Sequence, residues 1–368
     1  MKLQHIDYPF LFVVVLLTMV GFVIFSSAAL GLLARDGASF SSVASNQVLF
    51  GIVCGGIGMW ALSRLDYRLL RRFSIPFFIF AILLTCLTFV PGIGLTLKGA
   101  SRWIEVGGFT FQPVELLKLA TITFLASYYA TNHKKADSLL YGLLPFIGIV
   151  SVAALPLIFQ PDNDGILILA IAGASIFFAA GGRFLHLGAL ALVGIVMGAI
   201  LIFARPYLMD RIMTFVDPSR DPQGSGYQVQ QSLIAIGSGE LFGRGFGQSI
   251  QKFSHLPEPV GDSVFAVAGE EFGFVGAIFL VLLFLAFTAA GLRIAARSQD
   301  RFGGLLVLGI VILIATQAFV NIASLLGLFP LSGLPLTFVS HGGTALLVAL
   351  TEAGIILSVS RRIKADPK

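Results

Sequence analysis

The sequence predicts an all-α polytopic membrane protein, with about ten transmembrane helices of the ~20 residues that a bilayer crossing needs. Both termini are expected in the cytoplasm, in a single membrane domain with a large outward loop, about residues 205–262, between helices seven and eight. Three observations carry this prediction. Of 368 residues, 57% are hydrophobic and only 12% charged, where soluble domains carry about 25%; the mean hydropathy is +0.93. The apolar residues fall into long runs separated by short connectors. Cations crowd into alternate connectors, as the positive-inside rule requires.

In order, the runs are 8–32, 47–63, 74–91, 113–131, 139–158, 164–181, 184–204, 263–291, 303–328 and 334–360. The first is too long for the core of a signal peptide and reads as an uncleaved span. Arg64, Arg68, Arg71 and Arg72 follow the second run, and Lys134 and Lys135 the fourth. Arg183 follows the sixth, and Arg293, Arg297 and Arg301 the eighth. Arg361, Arg362, Lys364 and Lys368 close the chain, on the side of Lys2. The short connectors opposite hold only Arg35, Lys98 and Arg102, which puts both termini inside.

The fourth run opens on Gln112–Pro113, a helix-start signal. The 205–262 connector is polar and rich in Gly and Pro, with an amphipathic helix expected near Tyr227–Ile236 and glycine turns in "GSGELFGRGFG". A connector this long is uncommon unless functional. Gly92–Gln112 alternates in "SRWIEVGGFTF", which suggests a small hairpin or a re-entrant segment. Without an internal repeat, the chain is unlike transporters built from inverted halves.

The net charge of +5 and pI near 9.3 come from cations at span ends. They serve topology and anionic headgroups, so no nucleic-acid partner is expected. Cys54 and Cys86 lie in apolar runs and read as inert packing residues; no spacing suggests zinc, haem or an iron–sulfur cluster.

Ionisable groups inside spans are costly, which makes each a functional candidate. Glu115 and Lys118, three apart, share a helix face and can pair; alternatively Glu115 answers the helix dipole and Lys118 snorkels outward. Asp162 and Asp164, in "QPDNDG", suit a turn with a helix cap, and Asp262 suits an N-cap for span eight. Glu270 and Glu271 lie too deep for capping, so at least one needs a polar interior or an ion pair. Glu352 reads as a hydrogen-bonding group near the cytoplasmic end, Gln317 and Asn321 as an interhelical pair on one face, and His341 as structural.

Together Asp162, Asp262, Glu115, Lys118, Arg102, Arg211, Arg244 and Lys252 stand at outward loop–helix junctions. Cations and glycine-rich amides suit a phosphate or pyrophosphate, and a carboxylate beside them suits a general base. The pattern points to a lipid-linked phosphate at the outer leaflet, without separating transport from chemistry.

The segments "KGASRWIEVGGFTFQPVELLKLA", "QPD", "GYQVQQSLIAIGSGELFGRGFGQSIQKFSHLPEPVGDSVFAVAGEEFG" and "GLFPLSGLPLTFVSHGG" resemble the SEDS family (shape, elongation, division and sporulation) over nearly the whole chain. "GQSIQKFSHLPEP" is more similar to its division branch, FtsW, than to its elongation branch, RodA. The resemblance implies a peptidoglycan glycosyltransferase that polymerises lipid II at the outer face of the bacterial cytoplasmic membrane, with the division septum as its expected place of work. The acceptor hydroxyl attacks the donor sugar with inversion, and undecaprenyl pyrophosphate leaves. Residue by residue, it makes Asp262 the catalytic base. It places Glu115, Lys118, Arg102 and Asp162 around the substrate, with Lys118 on the pyrophosphate, and has Glu258 shape the loop. Implied partners are the growing glycan strand, a class B penicillin-binding protein and other division proteins. A divalent cation, Mg²⁺ or Mn²⁺, fits beside the pyrophosphate on charge grounds; no certain cofactor follows. A lipid II flippase and a non-catalytic division scaffold are the alternatives. Two departures stand out: Gln160-Pro161-Asp162 continues with Asn163, Asp164 and Gly165, which adds a carboxylate, and His341 replaces a tyrosine.

Overall fold

The structure, a computed structural model, describes residues 6–35, 43–97, 100–106, 109–217 and 224–363. Lys2, Lys98, Lys364 and Lys368 of the charge pattern lie outside them.

Each predicted run carries a helix: α1 (Tyr8–Arg35), α2 (Val43–Arg64, π-helical over Asn46–Cys54), α3 (Ser74–Phe89), α4 (Pro113–Asn132), α5 (Leu139–Phe159), α6 (Asn163–Ala179) and α7 (Phe184–Ala204). The outward connector contains α8 (Pro206–Val216) and α9 (Ser225–Ser238), followed by α10 (Val264–Arg297), α11 (Arg301–Leu325) and α12 (Gly343–Ser360). Among the described residues, six helices (α1, α2, α5, α10, α11, α12) are long and apolar enough to cross a membrane. Three more apolar stretches, in α3, α6 and α7, are shorter.

Two expectations need correction. The 205–262 connector holds two sizeable helices and a short one, Gln251–Ser254, where only one was expected. The last run is not helical from 334: residues 326–342 are irregular, because Pro330 and Pro335 cannot continue a helix and Gly327 and Phe338 take φ of +68° and +69°. Between α3 and α4, the Gly92–Gln112 connector forms the small hairpin expected of it, with a third strand added. Gly94–Leu97 (β1), Ala100–Val106 (β2) and Phe109–Phe111 (β3) form an antiparallel three-stranded sheet ordered β1-β2-β3.

At the centre α11 packs against α4, α6, α10 and α12. Buried residues lie on most of its faces, from Phe302 to Leu325, as an interior helix requires. α2 meets α12 through small residues: a Cβ on Gly55 would lie 2.9 Å from Leu350, and one on Gly354 would lie 2.6 Å from Met59 O. Backbones approach this closely only where side chains are absent.

α10 is kinked. Gly273 takes φ +65° and ψ −165°, a conformation nearly confined to glycine. The kink frees backbone groups that the 240–245 loop satisfies. Arg244 and Gly245 N–H donate to Glu270 O and Glu271 O, while Phe274 N–H donates to Glu240 O.

The two ends of the bundle differ. At one, Arg362 meets Asp66 (3.6 Å), Arg293 meets Asp7 (3.0 Å), Arg183 meets Asp137 (3.1 Å), and the Tyr67 hydroxyl bonds Asp300. The cation-rich connectors and both ends of the described chain therefore gather together, and Asp162, Asp164, Arg211 and Asp262 lie at the opposite helix ends.

Candidate active site

The segment before α10 delivers Asp262. Glu258 takes φ +45°, and its carbonyl accepts from Gly261 N–H (3.0 Å) and Ser263 N–H (3.2 Å), forming a tight turn. Ser263 holds the N-cap position, so Asp262 stands one residue ahead of the helix rather than capping it. Three outside donors pin the turn. Asn321 Nδ2 donates to Asp262 O (2.8 Å), Ser340 Oγ to Gly261 O (2.7 Å) and His341 N–H to Val260 O (2.6 Å). His341 thus acts through its backbone, with its ring stacked on Phe25.

The irregular 326–342 segment faces this turn. A Cβ on Gly333 would lie 3.7 Å from Asp262 Oδ2 and 4.0 Å from Arg211 Nη2, so both charged tips gather over one glycine. Asp164 joins them: its Oδ2 accepts from Gly333 N–H (3.2 Å) and Arg211 Nη1 (3.3 Å). Three segments distant in sequence thus place two carboxylates and a guanidinium around one backbone position. Beside Arg211, α8, α9 and the end of α11 enclose a cavity of about 150 Å³, lined by Phe215, Val229, Leu233 and Leu331.

A second polar group supports the same segment. Lys118 Nζ lies 2.8 Å from Glu115 and donates to Gln317 Oε1 (2.7 Å). Gln317 Nε2 in turn donates to Pro335 O, and Asn321 Nδ2 also donates to Leu334 O (2.7 Å). All four side chains are buried. Lys118 does not snorkel; it is locked between α4 and α11. Glu352 is also buried and lies in the electrostatic field of Lys118 and Glu115. It occupies the middle of α12, not the cytoplasmic end expected.

Other candidates fall elsewhere. Asp162 caps α6, accepting from Gly165 N–H (3.2 Å). Arg102 donates to Gln160 O (3.0 Å) and Pro161 O (2.5 Å), bracing that turn. Lys252, expected at the substrate, has no exposed side-chain surface and pairs with Glu271 (2.6 Å) and Ser27 (2.8 Å). Arg244, also expected there, is 3.5 Å from Glu270. Glu270 accepts from Ser249 Oγ (2.6 Å) and Ile250 N–H (3.0 Å), which explains both deep glutamates: they bind the 244–254 segment to α10 and α1. Among the described residues, no group of three or more His, Cys, Asp or Glu side chains is placed to hold a metal ion.

Sequence reading gave Asp164 only a turn-and-cap reading, and missed Asn321 and Ser340 as supports of Asp262. The one available signal was the four-residue spacing of Gln317 and Asn321, which put both amides on one face.

A bundle of apolar helices with ionisable side chains clustered at one set of helix ends defines a polytopic membrane protein built to handle a charged group. The profile of the cell cycle protein family FtsW/RodA/SpoVE matches residues 8–365, and the chain belongs to that family. It is 38% identical over 369 residues to the probable peptidoglycan glycosyltransferase FtsW of Trichlorobacter lovleyi, covering 100% of this chain and 96% of that protein. It is 39% identical over 318 residues to stage V sporulation protein E of Bacillus subtilis, covering 86% and 87%. Among solved structures, it is similar to a chain of a peptidoglycan synthase complex described for its coordination of polymerization and crosslinking. That match has a TM-score of 0.79 at 26% identity, covering 98% of this chain and 99% of the other. The rod shape determining protein RodA of Thermus thermophilus superposes with a TM-score of 0.67 at 26% identity, covering 98% of each.

Proposed function

We propose that the chain is a peptidoglycan glycosyltransferase of cell-wall synthesis that polymerises lipid II during cell division. Family membership supports the activity. The meeting of Asp262, Arg211 and Asp164 at Gly333 is the observation that carries the site. Asp262 is the general base. It takes the proton of the acceptor's 4-hydroxyl as that oxygen bonds to C1 of the donor sugar, while the bond from C1 to the pyrophosphate oxygen breaks. Undecaprenyl pyrophosphate leaves with the electron pair, and the α-linked donor gives a β-linked product. Arg211 offsets charge growing on the pyrophosphate, and the apolar cavity beside it accommodates the start of the polyprenyl tail. Lys118 and Glu115 support the floor of the site through Gln317.

A divalent cation, Mg²⁺ or Mn²⁺, would be held mainly by the pyrophosphate oxygens with one or two carboxylates, the usual manner of Mg²⁺. The enzyme works in the bacterial cytoplasmic membrane at the septum, with the Asp262 end outward. Its transpeptidase partner is a class B penicillin-binding protein; a similar chain in a peptidoglycan synthase complex supports this.

The test is lipid II polymerisation by the purified chain, alone and with its partner, for wild type and Asp262→Asn. Strands from wild type only, with lipid II still bound by the variant, are expected. Strands from both would remove Asp262 as base. Strands from neither, with partner present, would defeat the enzymatic reading.

A further inference from the structure

At the basic end of the bundle, opposite Asp262, the termini of α4, α6, α10 and α11 leave a cavity of about 670 Å³. That is within the range of roughly 300–1,000 Å³ typical of small-molecule sites. Ala180 and Gly181 after α6, Ala296 in α10 and Gly304 in α11 keep it open, since none projects beyond a methyl group. Leu292, Leu305 and Leu308 make its inner wall apolar.

Its mouth is polar. His133, Gln299 and Arg301 line it, and their side chains have no hydrogen-bond or ion-pair partner among the described residues; His133 Nδ1 is buried without one. Asp300 also lines the cavity, but its carboxylate is engaged: one oxygen accepts from the Tyr67 hydroxyl and the other from Gly303 N–H (3.3 Å). An unpaired guanidinium, amide and imidazole therefore stand above an apolar slot, at the end that the positive-inside rule assigns to the cytoplasm.

We infer that this cavity binds an anionic phospholipid of the cytoplasmic leaflet. The headgroup phosphate lies against Arg301, Gln299 and His133, and the proximal acyl chain runs along Leu292, Leu305 and Leu308. The guanidinium supplies paired donors for phosphate oxygens, and basic pockets between helices on this face suit such headgroups. A zwitterionic lipid offers the same phosphate but brings an ammonium group that offsets its charge and is repelled by the arginine, and a soluble phosphate would leave the apolar wall unused. At their other ends α6 carries Asp164, α10 begins two residues after Asp262, and α11 carries Asn321, so the bound lipid braces the frame of the proposed active site.

The test is native mass spectrometry of the full chain in micelles, with dioleoylphosphatidylglycerol or dioleoylphosphatidylcholine as probe. Wild type is expected to retain the anionic lipid at least about fivefold better, a difference of roughly 1 kcal/mol. The double variant His133→Gln, Arg301→Gln should lose that preference, and Ala296→Trp should lose it by filling the slot with charge unchanged. Arg64→Gln, on another helix, should keep it. Thermal unfolding without added lipid checks that every variant is folded. Equal retention of both lipids by wild type, or unchanged preference in folded double and Ala296→Trp variants, overturns the site. Displacement of the lipid by equimolar sn-glycerol 3-phosphate also overturns it, since a soluble phosphate would then suffice.

Discussion

Asp164 Oδ2 lies 3.3 Å from Arg211 Nη1, whereas Asp162, two residues earlier, turns back onto the amide of Gly165. The acidic residue that the family motif singles out is therefore a cap, and its neighbour holds the arginine.

Asp164→Asn should lower lipid II polymerisation by roughly tenfold to a hundredfold, because a hydrogen bond to a charged group contributes about 1.5–3 kcal/mol. Asp162→Asn should stay within about twofold, because asparagine caps helices as well as aspartate does. Initial rates of both variants beside wild type check this. A larger loss in Asp162→Asn would reverse the assignment.

Lys252→Met should destabilise the fold by about 3–5 kcal/mol, since it leaves Glu271 charged and buried without its partner. Pairing it with Glu271→Gln should recover much of that loss. Thermal unfolding of the single and double variants in micelles checks the coupling. Additive losses would show that the pair is not the cause.

Gly273→Ala should cost about 1–3 kcal/mol from backbone strain alone. The added methyl would also meet Leu241 O at 2.6 Å, where the 240–245 loop docks on the kink. Amide exchange should rise in that loop before it rises in the rest of α10. Unchanged protection there would contradict the docking role.

Gln317→Leu removes the acceptor of Lys118 and the donor to Pro335 O together. Stability should fall by about 1–3 kcal/mol, the penalty for buried polar groups left unsatisfied. Polymerisation should fall further than folding alone explains, because the 326–342 segment carries Gly333. Activity per folded molecule, measured beside Gln317→Glu, separates the two effects; full activity in folded Gln317→Leu would sink the idea.

The apolar runs were legible because each is a local property of the chain: a membrane helix must satisfy its own backbone, so its length and hydropathy appear in consecutive residues. Pro113 announced the start of α4, and the glutamates at 270 and 271 announced buried partners before any were visible. The helices in the 205–262 connector were harder to read, since that stretch mixes helix formers with glycine and proline. Lys252 misled because its sequence setting, a polar loop before an aspartate, resembles a substrate loop; only the packing of α1 against Gln251–Ser254 seals it from solvent.

The sequence by itself determined a polytopic helical bundle, the clustering of its cations on alternate connectors, and a family resemblance that singles out Asp262. Those features reside in composition and in short motifs. Only the tertiary structure decided which charges meet. Whether Asp162 or Asp164 faces Arg211, and whether Lys252 or Arg211 stands beside Asp262, depends on the direction in which each helix end presents its side chains. That direction is set by contacts between segments far apart in the chain, such as Asn321 with Asp262 and Gly333 with Asp164.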